Sequence, residues 1–317
     1  MARKTKAKST AVGTTGEGAG YYRYRYLMGA MQQAMMIATV RQACIKEDVH
    51  RMPEITTAWR AASMRMVELA AQEEGIADQV EITDLPEDVQ ARAMELGADP
   101  LFQASFSSIP FTIKVVEIDK LVAPQREVNL DYAESLHASI PGKEINDMLE
   151  FCVGPRKPPE LRMLQTAVNQ MTFSSRSLDL RFLGGYPKSI TKDDISVAHA
   201  GGKPAEATVL LVGFGADPIN AFHVGSRVVL NNGFHRVFAL RSKGVTKIPI
   251  VLQEVVNADI EFPDSLIGLS RAYLLQSARP VIIKDFFDDE LVTEVRLKPR
   301  RKVVKVSWGV EDSVVPE

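Results

Sequence analysis

Cysteine is nearly absent. Cys44 and Cys152 are the two in 317 residues, and neither sits in a Cys-x-x-Cys pair or a Cys/His cluster. Zinc sites need several such ligands at close spacing, so no structural metal is expected. A secretory leader is also missing: MARKTKAKST is basic, but no apolar core follows before Tyr21. So few cysteines with no leader point to a reducing, cytoplasmic setting. Long hydrophobic runs are lacking. The most apolar early stretch, Leu27 to Val40, contains Gln32 and Gln33 and is too short to span a bilayer, so no membrane association is expected. Nor is there an excess of one charge. The formal net charge is −2, so nucleic acid would have to be held by a local patch. What remains is the composition of a globular chain, 45% hydrophobic and 25% charged, long enough for one large or two smaller domains.

Residues 1–20, rich in Lys, Thr, Ser and Gly, have no hydrophobic period and read as a flexible basic tail. From Tyr21 to Cys44 the spacing of Leu27, Met31, Ala34 and Ala38 predicts a helix. Pro53 opens a second helix holding Trp59, Met64, Val67 and Leu69, with Gly75 as a stop. A third follows Pro86 through Val89, Ala93 and Leu96 to Gly97. Residues 21–105 thus read as a helical segment. At Phe106 the pattern turns β-branched, and SFSSIPFTIKVVEIDKLVAP predicts a strand. NLDYAESLHASI predicts a helix capped by Asn129 or Asp131. LRMLQTAVNQM reads as a helix between loops at GPRKPPE and GGYPKSITKDD. TVLLVGF and Ala221–Leu230 read as strands joined by a turn at GADP. NNGFHRVFALRSKGV passes from turn to helix, and KIPIVLQEVV is a strand. Beyond it lie a helix near Leu266–Leu275 and β-like runs at RPVIIKDFF and KVVKVSWGV.

Chemistry concentrates at Asn231–Arg236. A helix start carries unpaired N–H groups and the positive end of the helix dipole, which together attract anions. Gly233 lets backbone approach an anion closely, and Asn231 and Asn232 suit the turn. His235 and Arg236 add donors, so the segment predicts a phosphate cradle.

VVLNNGFHRVFALRSKGVTKIPIVLQEV resembles the ParB/sulfiredoxin superfamily, in which a strand enters a G-x-H-R or G-E-R-R turn, a helix follows and then an I-P-hydrophobic strand. VVEIDKLVAPQREVNLDYAESLHASI resembles the opening of the same domain. The resemblance covers about residues 110–256. It implies an α+β fold: a ParB/sulfiredoxin-like mixed domain over 106–256 with an insertion near 141–205, preceded by the helical segment and followed by an extension at 257–317. It also implies a nucleoside triphosphate ligand, CTP or ATP, with or without magnesium. By position, Asn232, Gly233, His235 and Arg236 would hold it together with Arg126, and His235 and Arg236 would be the catalytic candidates for phosphoryl transfer or phosphodiester cleavage. Phe234 stands where sulfiredoxins place the reactive cysteine, which excludes their chemistry. No helix-turn-helix follows the domain, against a centromere-binding role.

Other segments carry weaker signals. YYRYRYLM alternates aromatic and basic residues like a single-strand stacking platform, though packed tyrosines at a helix start are the favoured reading. The methionines at 28, 31, 35 and 36 suit an adaptable face for self-association of the N-terminal helices. LKPRRKVVK is a basic cluster that, with the basic tail, offers contacts to DNA, or else a charged edge strand. DFFDDE reads as a solvated turn or helix cap. His223 reads as a packed strand residue, the alternative being that it faces the same pocket as His235, and Gly213 and Gly215 read as turn residues. The alternatives to a nucleotide-binding protein are therefore a DNA-associated accessory protein and a self-assembling structural protein.

Overall fold

A computed structural model describes residues 20–142, 144–195 and 204–316. The expected basic tail lies, apart from Gly20, outside the described residues. The chain is α+β and divides into two compact units. One comprises the chain up to Pro155 together with Asp217–Pro299; the other comprises Arg156–Ala216 and Arg300–Glu317.

The first unit opens with β1 (Tyr22–Leu27), α1 (Gln33–Ala43), α2 (Lys46–His50), α3 (Met52–Gln72), β2 (Ile82–Thr83), α4 (Glu87–Gly97) and α5 (Pro100–Ser105). It continues through β3 (Phe111–Glu117), β4 (Glu127–Asn129), α6 (Leu130–Leu136) and α7 (Ile145–Val153). The second unit supplies β5 (Arg162–Ala167), β6 (Gln170–Ser175), β7 (Arg181–Ser189), α8 (Lys192–Ile195) and β8 (Glu206–Gly213). The first unit then resumes with β9 (Asn220–Val224), β10 (Arg227–Asn232), α9 (Phe234–Ser242), β11 (Lys247–Val255) and α10 (Ala258–Glu261). It ends with β12 (Ser265–Leu266), β13 (Leu269–Ser270), α11 (Arg271–Gln276) and β14 (Val292–Leu297), and β15 (Lys302–Ser307) returns to the second unit.

The helix predicted from Tyr21 is corrected at its start. YRYRYL is a strand, β1, in a sheet of order β14-β1-β4. The Tyr/Arg alternation has period two. Tyr24 and Tyr26 are buried, while Arg23 reaches Asp131 and Glu134 and Arg25 reaches Glu294. After a 3-10 turn at Met28–Ala30 the α-helix begins at Gln33, and Met28, Met31 and Met36 lie in the core formed with Val40, Ile55 and Leu297. These methionines are therefore core packing, whereas Met35 is exposed. α3 starts with Pro53 in its first turn, and α6 is capped by Asn129, whose Oδ1 accepts from the Tyr132 N–H at 3.0 Å.

The main sheet of the first unit has the order β10-β9-β11-β3-β2, with β9 and β11 parallel and the other neighbours antiparallel. Ala221–Leu230, expected as one strand, is the hairpin β9–β10, turning at Gly225 with φ +62°. β11 is buried along nearly its whole length and packs against α7. On one face, Phe222, Val229 and Val255 pack with Ile109, Phe262 and Leu274. RPVIIKDFF, expected to be β-like, closes as a short 3-10 helix over Ile283–Phe287. Within it Asp285 is fully buried and bidentate to Arg279, so this carboxylate of DFFDDE is no solvated turn residue.

The second unit holds a sheet of order β15-β6-β5 and the separate pair β7-β8. The predicted helix LRMLQTAVNQM is instead the hairpin β5–β6. Its helix-like spacing offered no face to bury, for every residue of β5 is exposed. GGYPKS, expected as loop, lies within β7. β8 pairs back onto β7, so GADP leads out of this unit and does not turn β8 into β9. KVVKVS forms β15, an edge strand carrying Lys302 and Lys305. Among the described residues, no helix is long and apolar enough to cross a membrane.

Candidate ligand pocket beside the NNGFHR turn

The turn is built as the glycine and asparagines require. Between Leu230 and Asn232 the β9–β10 register shifts, which lifts Asn231 out of the ladder. Asn231 Nδ2 donates to Asn220 Oδ1 at 2.8 Å, and the buried Asn220 donates to the Pro218 carbonyl at 3.1 Å. Asn232 Oδ1 accepts from the Gly233 N–H at 2.8 Å. Gly233 caps α9 in the left-handed region, at φ +92°. A Cβ there would stand 2.7 Å from Ile219 Cγ1, so both conformation and space demand glycine. The N–H groups of Phe234 and His235 make no hydrogen bond among the described residues.

The two proposed catalytic side chains are turned to other work. Arg236 is 7% exposed. Its Nη1 donates to the Cys152 carbonyl at 3.2 Å and its Nη2 to the Asp217 carbonyl at 2.6 Å. It thereby ties together the points where the chain leaves and re-enters the first unit. His235 Nε2 accepts from the Asn129 N–H at 3.1 Å, so the imidazole is neutral with its proton on Nδ1. Burial pushes its pKa down to about 4, against the opposing pull of Glu127. A neutral, acceptor-bound histidine is a poor general acid at neutral pH. Phe234 packs edge-on against Phe286, with ring centroids 4.9 Å apart. Arg126 lies in the loop before β4, with Nη1 3.3 Å from Met35 Sδ. His223 Nδ1 is 2.7 Å from Glu254 Oε2 and does not join His235.

A cavity of about 400 Å³ opens on the sheet beside this turn, and Asn231 is one of its walls. That volume lies in the range of small-molecule sites. Phe222 and Phe262 line it, edge to face at 5.1 Å, together with Ile109, Ile260 and Pro263. Gln253 enters from β11, where it pairs with Phe222 of β9 and Phe111 of β3. It is only 6% exposed, yet its amide makes no hydrogen bond among the described residues. The amide atoms reach the cavity, where solvent or a ligand can pair with them. Glu261, the single charged residue of the lining among the described residues, turns Oε2 to the N–H groups of Val256 at 2.7 Å and Asn257 at 2.8 Å. Among the described residues, no cation lines the cavity. It therefore suits an uncharged ring with a polar edge better than an anion.

Of the predicted site residues, Asn232, Gly233, His235 and Arg236 share one turn and helix start, and Arg126 is not among the groups they bond. Gln253 was missed. Its signal was a lone amide inside the apolar run KIPIVLQEVV. Among the described residues, no group of three or more His, Cys, Asp or Glu side chains is placed to hold a metal ion. No family model, no curated protein and no solved structure matches this chain.

Proposed function

We propose that the first unit is a nucleotide-type binding domain of ParB/sulfiredoxin-like character, which takes the ring of its ligand into the sheet pocket and does no chemistry through His235 or Arg236. The observation that carries this is the Gln253 amide, which reaches a pocket that also includes Asn231 of the NNGFHR turn and makes no hydrogen bond among the described residues. A purine or pyrimidine presents donor and acceptor side by side on one edge, which is what a carboxamide matches. Phe222 and Phe262 supply aromatic contact. A phosphate on the same ligand would be received at the start of α9, where the Phe234 and His235 N–H groups make no hydrogen bond among the described residues, three and four residues on from Asn231. The ring supplies the affinity, and the phosphate adds to it.

Calorimetry with nucleosides, nucleoside phosphates and inorganic phosphate tests this on the full chain. Nucleosides should bind without phosphate, and Gln253→Leu should weaken them at least about tenfold, the cost of one unpaired amide. Unchanged affinity in a folded Gln253→Leu chain, or no binding by any nucleoside, would overturn the assignment.

A further inference from the structure

The β7–β8 hairpin of the second unit is a two-stranded sheet that buries little of itself. Phe182, Leu183, Tyr186, Leu210 and Leu211 are all exposed. A lone two-stranded hairpin is marginal in water, and gains stability when more strands join it. Its two outer edges differ. β7 is blunted by Pro187, which has no N–H, by Arg181 and Lys188 and by the irregularity between Phe182 and Gly184. Such features normally keep an edge from pairing. β15 is guarded by Lys302 and Lys305, and β5 by Arg162 and its own irregularity between Gln165 and Ala167. β8, EATVLLVG, has no proline, lysine or arginine and no break in its run. Its one charge, Glu206, stands at the first residue. Among the described residues, no strand pairs with its outer edge.

We propose that β8 pairs antiparallel with β8 of a second copy of this chain, centred on Leu210. Symmetry limits the register to those in which one residue faces its own copy, and Leu210 is the centre of the uncharged span Ala207–Gly213. A two-fold axis normal to a sheet preserves its faces, so the axis must pass midway between one residue and its own copy. Centring on Leu210 sets Val209 opposite Leu211, Thr208 opposite Val212 and Ala207 opposite Gly213. That ladder is wholly uncharged, and Glu206 falls outside it, away from the other copy's Glu206. Inside the hairpin, Leu210 and Leu211 face Gly185 and Gly184, which give them no side-chain cover. The partner strand supplies it. The result is a four-stranded sheet whose two outer edges are both the protected β7.

Light scattering on the full chain should give the mass of a dimer, and Leu210→Lys, which places like charges opposite one another, should give a monomer with unchanged circular dichroism. Cysteine substitutions give a second measurement that does not depend on that variant folding. Cys44 and Cys152 are buried, and burial pushes the Cys44 thiol up to about 11, so neither competes for oxidation. Leu210→Cys, facing its own copy, should oxidise to a covalent dimer, whereas Thr208→Cys and Val212→Cys should not. A monomeric parent chain, or equal cross-linking at all three positions, would overturn the proposal.

Discussion

The imidazole Nε2 of His235 accepts a hydrogen bond from the backbone N–H of Asn129, 3.1 Å away. The first turn of α9 is thereby fastened to the junction of β4 and α6, and the bond exists only while the ring is neutral. In the folded chain the ring protonates near pH 4, against an ordinary value of 6.5. Between those values the unfolded chain binds the proton and the folded chain does not, so stability falls as pH drops from 6.5 to 4. The full effect is at most roughly 3 kcal/mol. Urea unfolding at a series of pH values should show the loss, and His235→Gln, which keeps an acceptor without a titrating group, should flatten this part of the profile. An identical profile in that variant would remove His235 as the cause.

Gly233→Ala should lower stability by about 1–3 kcal/mol, since the new methyl meets Ile219 and the backbone sits at φ +92°. Denaturant midpoints measure it. Gly225→Ala, where φ is +62° but nothing lies within 4 Å of the added carbon, is the control for conformation without collision and should cost less.

Asp285→Ala should cost up to about 3–5 kcal/mol, because it removes the fully buried, bidentate partner of Arg279 and leaves that buried guanidinium with Glu73 alone as a carboxylate partner. Glu73, which also accepts from Arg279 but at the edge of the solvent, should cost less when replaced by Ala. Equal losses from the two carboxylates, read by chemical denaturation, would show that burial is not what sets the cost.

The sequence made the first unit's strand–turn–helix legible because several local signals agree there: β-branched strands, paired asparagines, a glycine and then a helix of small and apolar residues. Its chemistry was less legible. Arg236 reads the same whether it faces a phosphate or three backbone carbonyls, and only the fold brings Cys152 and Asp217 to it. YRYRYL was misread because the spacing of apolar residues downstream outweighed a six-residue alternation. The β5–β6 hairpin was misread because its pairing with β15 depends on residues far along the chain. Long-range partners of this kind leave no local mark.

Both units are completed by strands that follow nearly everything else in the chain. β14 adds to β1, with Tyr22 opposite Leu297, and β15 adds to β6, with Lys302 opposite Ser175. During synthesis β1 and the β5–β6 hairpin therefore emerge long before their partners. They must wait with an open edge, in reach of a chaperone or of each other's neighbours on a polysome. Shortening the chain to remove Val292–Ser307 would take an edge strand from each unit at once, so a single nick near that point would be felt at both.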